Sequence, residues 1–265
     1  MHSLEGKVAI IVGAATVGNL GQGLARRFAA AGARVVVAGR HREPLEELAA
    51  DIAGGYRVCD LQVQEDIDDL VAFTRERYGR VDIGINCVGW GLMKGFEETT
   101  EEDLHRMMDI QFKGPFQFMQ ALVKAMGAGG SIIMISSATA TIMLEQHAAY
   151  MGTKAGIDHV VRCVANEYGG RGIRANSISP GVMNTPMAGD SLKIPEVLRA
   201  FEAGYPLGRI GTIDDIAEAA LWLASDTCFM TGQNLQINGG LTLRRNPTMA
   251  EMGAAFAAAT RHLRG

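Results

Sequence analysis

The sequence predicts one doubly wound α/β domain, a parallel seven-stranded sheet covered by helices on both faces. Short runs rich in β-branched and apolar residues alternate with stretches of helical periodicity, the pattern of crossover units. Most strand runs lack polar alternation, as strands do when helices bury both faces. No internal repeat, low-complexity tract or linker divides the 265 residues.

The elements follow in order. "KVAIIV" (7–12) is a first strand, and a glycine-studded loop, "GAATVGNLGQGLA" (13–25), leads into a helix reaching about residue 31. "RVVVA" (34–38) and "YRVCD" (56–60) are strands flanking a helix over "PLEELAADIA" (44–53). "IDDLVAFTRERYG" (67–79) is the helix before a strand in "VDIGIN" (81–86). One long helix is expected through "LHRMMDIQFKGPFQFMQALVKAMG" (104–127), then a strand in "SIIMIS" (131–136). "IRANSIS" (173–179) and "NLQING" (234–239) complete the sheet, with a helix at "DIAEAALWLAS" (215–225) between them. The doubly wound domain covers residues 1–244, and 245–265 form a C-terminal helical extension. In that extension Asn246 reads as the cap and Pro247 as the first helical residue. Met249, Met252, Phe256, Ala259 and Leu263 make its apolar stripe, and Arg261, His262 and Arg264 suit its dipole. The helix can dock on its own domain, cover a pocket or meet another subunit.

Bulk properties narrow the function. Apolar residues at 48% and charged residues at 20% describe a globule with a large core, and a net charge of -4 argues against nucleic acid and anionic membranes as partners. No apolar run reaches the roughly 18 residues of a membrane span. The N-terminal residues run straight into a strand pattern without signal-peptide segments, so a cytoplasmic location and a small-molecule partner are expected. Cys59, Cys87, Cys163 and Cys228 contain no paired spacing and read as reduced packing residues, with no metal site.

The chemistry-bearing residues lie on the loops after the strands. The glycine loop between a strand and a helix suits a dinucleotide, with helix amides from residue 19 onward aimed at a pyrophosphate. The second strand ends in Gly39, Arg40, His41 and Arg42, where an NAD site would place a carboxylate. A guanidinium suits a 2′-phosphate, so NADP(H) is favoured over NAD(H), unless Glu43 reaches the ribose instead. Tyr150 and Lys154, four apart in "AAYMGTKAGIDHVV", share a helix face. Ionising a phenol of pKa about 10 at pH 7 costs ~4 kcal/mol, and a cation about 4 Å away at an effective dielectric of ~20 recovers roughly that much. Ser137 ends a strand at the carboxyl edge of the sheet, thirteen residues before Tyr150.

These residues, in this order, resemble the short-chain dehydrogenase/reductase family over nearly the whole chain. "NCVG" (86–89) is similar to its sheet-stabilising Asn-Asn-Ala-Gly segment and "CDL" (59–61) to its adenine-contacting motif. "SPGVMNTPM" (179–187) resembles its nicotinamide-side turn, and "PLGRIGTIDDIAEAALWLASD" and "TGQNLQINGG" its C-terminal signatures. The resemblance implies a Rossmann fold and hydride transfer between a nicotinamide and a carbonyl or secondary alcohol. It makes Tyr150 the general acid/base, Ser137 the substrate-oxygen ligand, and Lys154 the group that lowers the tyrosine pKa and holds the ribose. It assigns the cofactor to Gly13, Asn19, Leu20, Gly21, Arg40, Asp60, Leu61, Asn86, Tyr150, Lys154, Val182 and Thr185. Homo-oligomers, dimers or tetramers, are usual in the family.

Two departures matter. Val12 replaces a threonine and the loop is two residues longer than usual, so that Asn19-Leu20-Gly21 aligns with the family's Gly-x-Gly. That spacing resembles the family's enoyl reductases, which separate tyrosine and lysine by six residues; alkene reduction is therefore the alternative chemistry. Gln111 stands where the family has a catalytic asparagine, and with Leu104, Met108 and Met119 it falls on an apolar helix face. It either holds a relay water or only satisfies backbone groups. These departures also leave open a non-catalytic, nucleotide-sensing module. Trp90, Met93, Phe96, Met143, Leu144, His147, Met183 and Met187 are expected to flank the nicotinamide, favouring an apolar substrate under a lid at 188–206.

Overall fold

A computed structural model describes residues 2–262 of the chain, with side chains through residue 260. β1 (Val8–Val12), β2 (Arg34–Gly39), β3 (Gly55–Val58), β4 (Ile83–Asn86), β5 (Gly130–Ile135), β6 (Ile173–Ile178) and β7 (Asn234–Leu235) form one sheet in the order β3-β2-β1-β4-β5-β6-β7. Every pairing is parallel, as the sequence predicts. The strand order reverses between β1 and β4, which opens a crevice beyond their carboxyl ends.

The side chains of β1 show how the core divides. Ala9 and Ile11 join one apolar cluster with Leu24 and Phe28 of α1 (Leu20–Ala30), Leu45 and Leu48 of α2 (Arg42–Asp51) and Ile216 of α8 (Ile213–Ala224). Ile10 and Val12 point the other way, to Leu70 of α3 (Gln64–Tyr78), Phe118 and Leu122 of α5 (Gly114–Ala125) and Val161 of α6 (Ala148–Tyr168). Alternate residues of a strand face opposite sides, so a strand buried twice has no polar face. Each fully buried side chain of this kind stabilises the fold by about 1.5–3 kcal/mol.

Local chemistry sets the helix ends. Asn19 caps α1, its Oδ1 accepting from Gln22 N at 2.9 Å and its Nδ2 donating to Gly13 O at 2.8 Å. Reciprocal Thr/Asp boxes start α4 (Glu101–Met108) at Thr100 and α8 at Thr212. α3 carries Glu65 and Asp66 in its first turn, Arg75 and Arg77 in its last, and stops at Gly79 with φ 78°.

Several expectations need correction. The long helix at 104–127 is three pieces: α4, a π-helical turn (Asp109–Lys113) and α5. The widened turn shifts the register, so Leu104 and Met108 are exposed while Met107 is buried, and Gln111 is nevertheless turned inward. β7 keeps only two residues, because the chain folds back at once with Ile237 N donating to Leu235 O at 3.1 Å. Cys163 is exposed and so is no packing residue. The last helix, α9 (Met249–His262), starts two residues later than a cap at Asn246 proposes. Thr248 and Glu251 exchange capping bonds of 2.7 and 3.2 Å there, and Pro247 precedes the helix. Leu263, Arg264 and the side chains of Arg261 and His262 lie outside the described residues. α9 packs against α7 (Pro195–Glu202), within the segment expected to be a lid. No helix among the described residues is long and apolar enough to cross a membrane, and no cluster there could hold a metal.

Candidate active site

Two adjoining cavities occupy the crevice. The larger, ≈ 450 Å³, is lined by Gly13, Thr16, Asn19, Arg40, His41, Asp60, Leu61 and Trp90. The smaller, ≈ 280 Å³, is lined by Asn19, Leu20, Gly21, Ser137, Tyr150, Lys154, Val182 and Thr185. Asn19, Cys87, Val88, Gly89, Gly91 and Met187 border both, so the two are halves of one cleft.

The larger half fits a dinucleotide on backbone grounds. Gly13 has φ 86°, and a Cβ there would lie 2.7 Å from Cys87 C and Val88 N. A Cβ on Gly21 would lie 2.5 Å from Gly13 O. Only glycine lets the loop press so closely onto the β4 end and leave the groove open. The amides of Leu20 and Gly21, in the first turn of α1, have no intrahelical acceptor, and both residues line the smaller half, next to Asn19 where the two halves meet. At the far end Arg40 is exposed and makes no ion pair among the described residues. Arg42 turns away, donating to Tyr56 Oη at 3.1 Å. Glu43 does not reach either cavity. Asp60 accepts from its own turn, at 3.0 Å from Gln62 N. Asn86 lines neither half; it lies beneath the groove, Oδ1 accepting from Val88 N at 2.8 Å and so shaping the turn.

The smaller half gathers Ser137, Tyr150 and Lys154. Ser137 caps a short 3₁₀ turn after β5, with its Oγ 2.8 Å from Thr139 Oγ1 and its carbonyl accepting from Ser179 Oγ at 3.0 Å. Lys154 is buried, and its Nζ donates to Ile135 O at 2.8 Å and stands 5.6 Å from the Tyr150 ring centroid. Burial draws the Lys154 pKa down to about 8 against the opposing fields of Asp158 and Cys87. Burial raises the Tyr150 pKa, and the Ser137 hydroxyl pulls it back. Here the electrostatics differ from the sequence expectation. Among the chain's own groups desolvation dominates, the phenol stays neutral, and Ser137 rather than Lys154 is the group lowering it. Burial also pushes the Cys59 and Cys87 thiols up to about 12, which removes both as nucleophiles at neutral pH.

Gln111 is buried outside both cavities. Its Nε2 donates to Trp90 O at 3.2 Å and approaches Met107 Sδ at 3.3 Å, while its Oε1 has no hydrogen bond. That oxygen borders the same spot as Lys154: a Cβ on Gly89 would lie 3.4 Å from Gln111 Oε1 and 3.9 Å from Lys154 Nζ.

Of the expected nicotinamide-flanking residues, Leu144, His147, Met183 and Met187 line the smaller cavity. His147 meets Tyr150 edge-on at 6.3 Å. Met93, Phe96 and Met143 are exposed and line neither half, and Trp90 lies in the larger half under Arg106, 4.2 Å from the guanidinium carbon. Val182 lines the cavity, but its amide donates to Tyr205 Oη at 2.6 Å and is unavailable to a ligand. Tyr205 and Asn246 escaped the sequence reading. Tyr205 is buried behind Gly181, and no periodicity marks it within 188–206. Asn246, read there as a helix cap, is buried at the cavity wall and donates to Met143 O at 3.1 Å. Glu145 accepts from Met249 N at 2.9 Å, so the start of the C-terminal extension is strapped to the loop before α6.

A family profile described as enoyl-(acyl carrier protein) reductase matches residues 13–242. The chain is 35% identical to D-threitol dehydrogenase of Mycolicibacterium smegmatis, over 91% of this chain and 95% of that enzyme. It is 34% identical to 3beta-hydroxysteroid dehydrogenase 1 of Eggerthella lenta, again over 91% of this chain and 95% of that one. The structure of a short-chain type dehydrogenase/reductase from Mycobacterium ulcerans superposes with a TM-score of 0.89 at 27% identity, over 94% of each chain. With its glycine-rich loop after β1, its parallel sheet and relatives that are named dehydrogenases and reductases, the chain belongs to the short-chain dehydrogenase/reductase family of NAD(P)-dependent oxidoreductases.

Proposed function

We propose that the chain is an NADP(H)-dependent carbonyl reductase/alcohol dehydrogenase acting on a mainly apolar substrate, with Tyr150 as general acid/base. The observation that carries this is the convergence of Ser137, Tyr150 and Lys154 on one cavity that opens into the groove behind the glycine loop. When bound, the nicotinamide supplies or takes up the hydride. The chain's own residues handle the proton. Tyr150, kept neutral by burial, is set to give its proton to a carbonyl oxygen, and Ser137 donates a hydrogen bond to the same oxygen. Lys154, tethered to Ile135 O, supplies the positive field that offsets the phenolate left behind. Gln111 serves the relay by offering its unpaired Oε1 to a water shared with Lys154, since a buried carbonyl left unpaired costs about 1–3 kcal/mol.

The unpaired Arg40 at the groove's end supports NADP(H). Leu144, Met183, Met187 and Leu241 around the smaller cavity support an apolar substrate body. Leu104, Met108 and Phe116, exposed along α4 and α5, support a homo-oligomer, and sedimentation would report its size. The test of the main reading is an absorbance screen at 340 nm with both cofactors across apolar ketones, alcohols and enones. Tyr150→Phe should then lose about 10²–10⁴-fold in turnover while cofactor affinity stays within about twofold; retained turnover would remove Tyr150 from the mechanism. A second reading, reduction of a C=C bond, is favoured by the lengthened loop and by the description of the matching profile. Enone reduction without ketone reduction in the same screen would establish it.

A further inference from the structure

Tyr150, Lys154 and Asp158 follow one another at four-residue intervals on α6 and so share one face. The reaction proposed above uses the first two and leaves the third unexplained. Asp158 is a partly buried carboxylate. Its Oδ2 accepts from Ser136 Oγ at 2.7 Å and from Asn234 Nδ2 at 2.6 Å, and the Ser177 hydroxyl also acts on it. Its Oδ1 is buried without a hydrogen bond of its own.

These two hydrogen-bond partners, and Ser177, whose hydroxyl acts on Asp158 without a hydrogen bond of its own, lie on three adjacent strands. Ser136 follows the last residue of β5, Ser177 is in β6, and Asn234, its register partner, begins β7. Lys154 grips the same strand end one residue earlier, through Ile135 O. Ile135 and Ser136 are therefore held in succession, by Lys154 and by Asp158, and Ser137 follows them with its hydroxyl, shared with Thr139, beside Tyr150. A slip between α6 and the β5 end would move Ser137 against Tyr150.

We propose that Asp158 is a positioning residue for the reaction, clamping α6 to the ends of β5 and β7 and supplying the counter-charge one turn from Lys154. This rests on the reading of Tyr150 and Lys154 above. A clamp alone would not need a charge, because a hydroxyl or amide also bonds Ser136 and Asn234, and a buried carboxylate costs more than either unless a cation compensates it. The compensating cation on this face is Lys154. The titratable groups acting on Lys154 among the described residues are Asp158 and Cys87, and both favour its protonated form against burial. Lys154 is in turn the one titratable group acting on Asp158, whose other partners are neutral. Without Asp158, Lys154 would release its proton at lower pH.

The experiment compares the full-length wild type with Asp158→Asn, using NADPH and whichever ketone the screen identifies. Expected is a kcat alkaline limb moved acidward by about one pH unit, the order a lost neighbouring charge produces, with KM within about twofold. A limb that coincides with the wild type's, whatever the fall in kcat, would overturn the proposal and leave a structural strap. If Asp158→Asn does not fold, Asp158→Glu keeps the charge and displaces the clamp. It should keep the alkaline limb and lose kcat at preserved KM, and unchanged kcat would overturn the proposal. Tyr150→Phe separates the two levels: turnover retained there defeats the underlying reading, whereas turnover lost there with an unmoved Asp158→Asn limb defeats this inference alone.

Discussion

The two halves of the cleft are built from different materials. In the larger half the floor is backbone: the glycine loop at Gly13 and the Asn86-braced turn after β4 press together at distances no Cβ would survive. In the smaller half it presents side chains from widely separated segments, including Tyr150 and Lys154 of α6, Leu144 of the preceding loop and Asn246 of the C-terminal extension. A surface made of backbone reads features common to every dinucleotide, chiefly phosphate charge. One made of side chains from loops is redrawn by single substitutions. The same fold can thus keep its cofactor while its relatives differ in the substrates their names declare.

Substitutions on each side should break or sharpen that contrast. The largest effect is expected at Gly13→Ala, where a positive φ and a 2.7 Å approach to the β4 turn coincide. Cofactor affinity, read by quenching of protein fluorescence, should fall by more than about tenfold, the equivalent of ~1.4 kcal/mol. Unchanged affinity would show that the loop is not a backbone cradle. Arg40→Ala should come next. It should raise the KM for NADPH by about tenfold and leave that for NADH nearly unaltered, as expected for a charge-assisted contact worth ~1.5 kcal/mol; equal changes would refute the 2′-phosphate assignment. Asn246→Ala belongs to the other half. A rise of about two- to fivefold in substrate KM with cofactor KM constant would fit a loss of roughly 0.5–1 kcal/mol at the substrate wall. A change in cofactor KM instead would merge the two halves. The smallest effect is expected at the base of α9. The Arg245 guanidinium and the Thr248 cap hold the Glu251 carboxyl down to about 2, so its contribution is present above the ordinary carboxylate range and is lost as pH falls through about 2. Glu251→Gln should lower the melting temperature slightly at pH 7, and the gap to wild type should narrow as the solution is acidified.

The same contrast explains what could be read in the chain before it folded. The sheet was legible because β1, β2 and β5 bury both faces, so that runs such as "VAIIV" are apolar throughout. The glycine loop was legible because glycine is demanded by backbone geometry, which local sequence controls. Gln111 was placed inward correctly for a partly wrong reason. The stripe invoked for it fails at Leu104 and Met108, and it is the π turn, which no simple period describes, that aims the amide. Val182 was named from its motif, but the hydroxyl of Tyr205, 23 residues away in sequence, had already engaged its amide. Nothing in the sequence singles out Asp158, because its hydrogen-bond partners Ser136 and Asn234 lie at two strand ends, 22 and 76 positions away.

By itself the sequence determined the strand and helix alternation, the parallel order, the glycine cradle and the pairing of Tyr150 with Lys154, all consequences of periodicity or of neighbours within one turn. The tertiary structure alone decided that burial dominates the phenol, what Lys154 and Asp158 hold, and how the C-terminal extension comes to wall the smaller cavity. Burial and long-range hydrogen bonds are properties of the packed chain: they join residues far apart in sequence, 103 positions for Asn246 and Met143, and no local pattern carries that information.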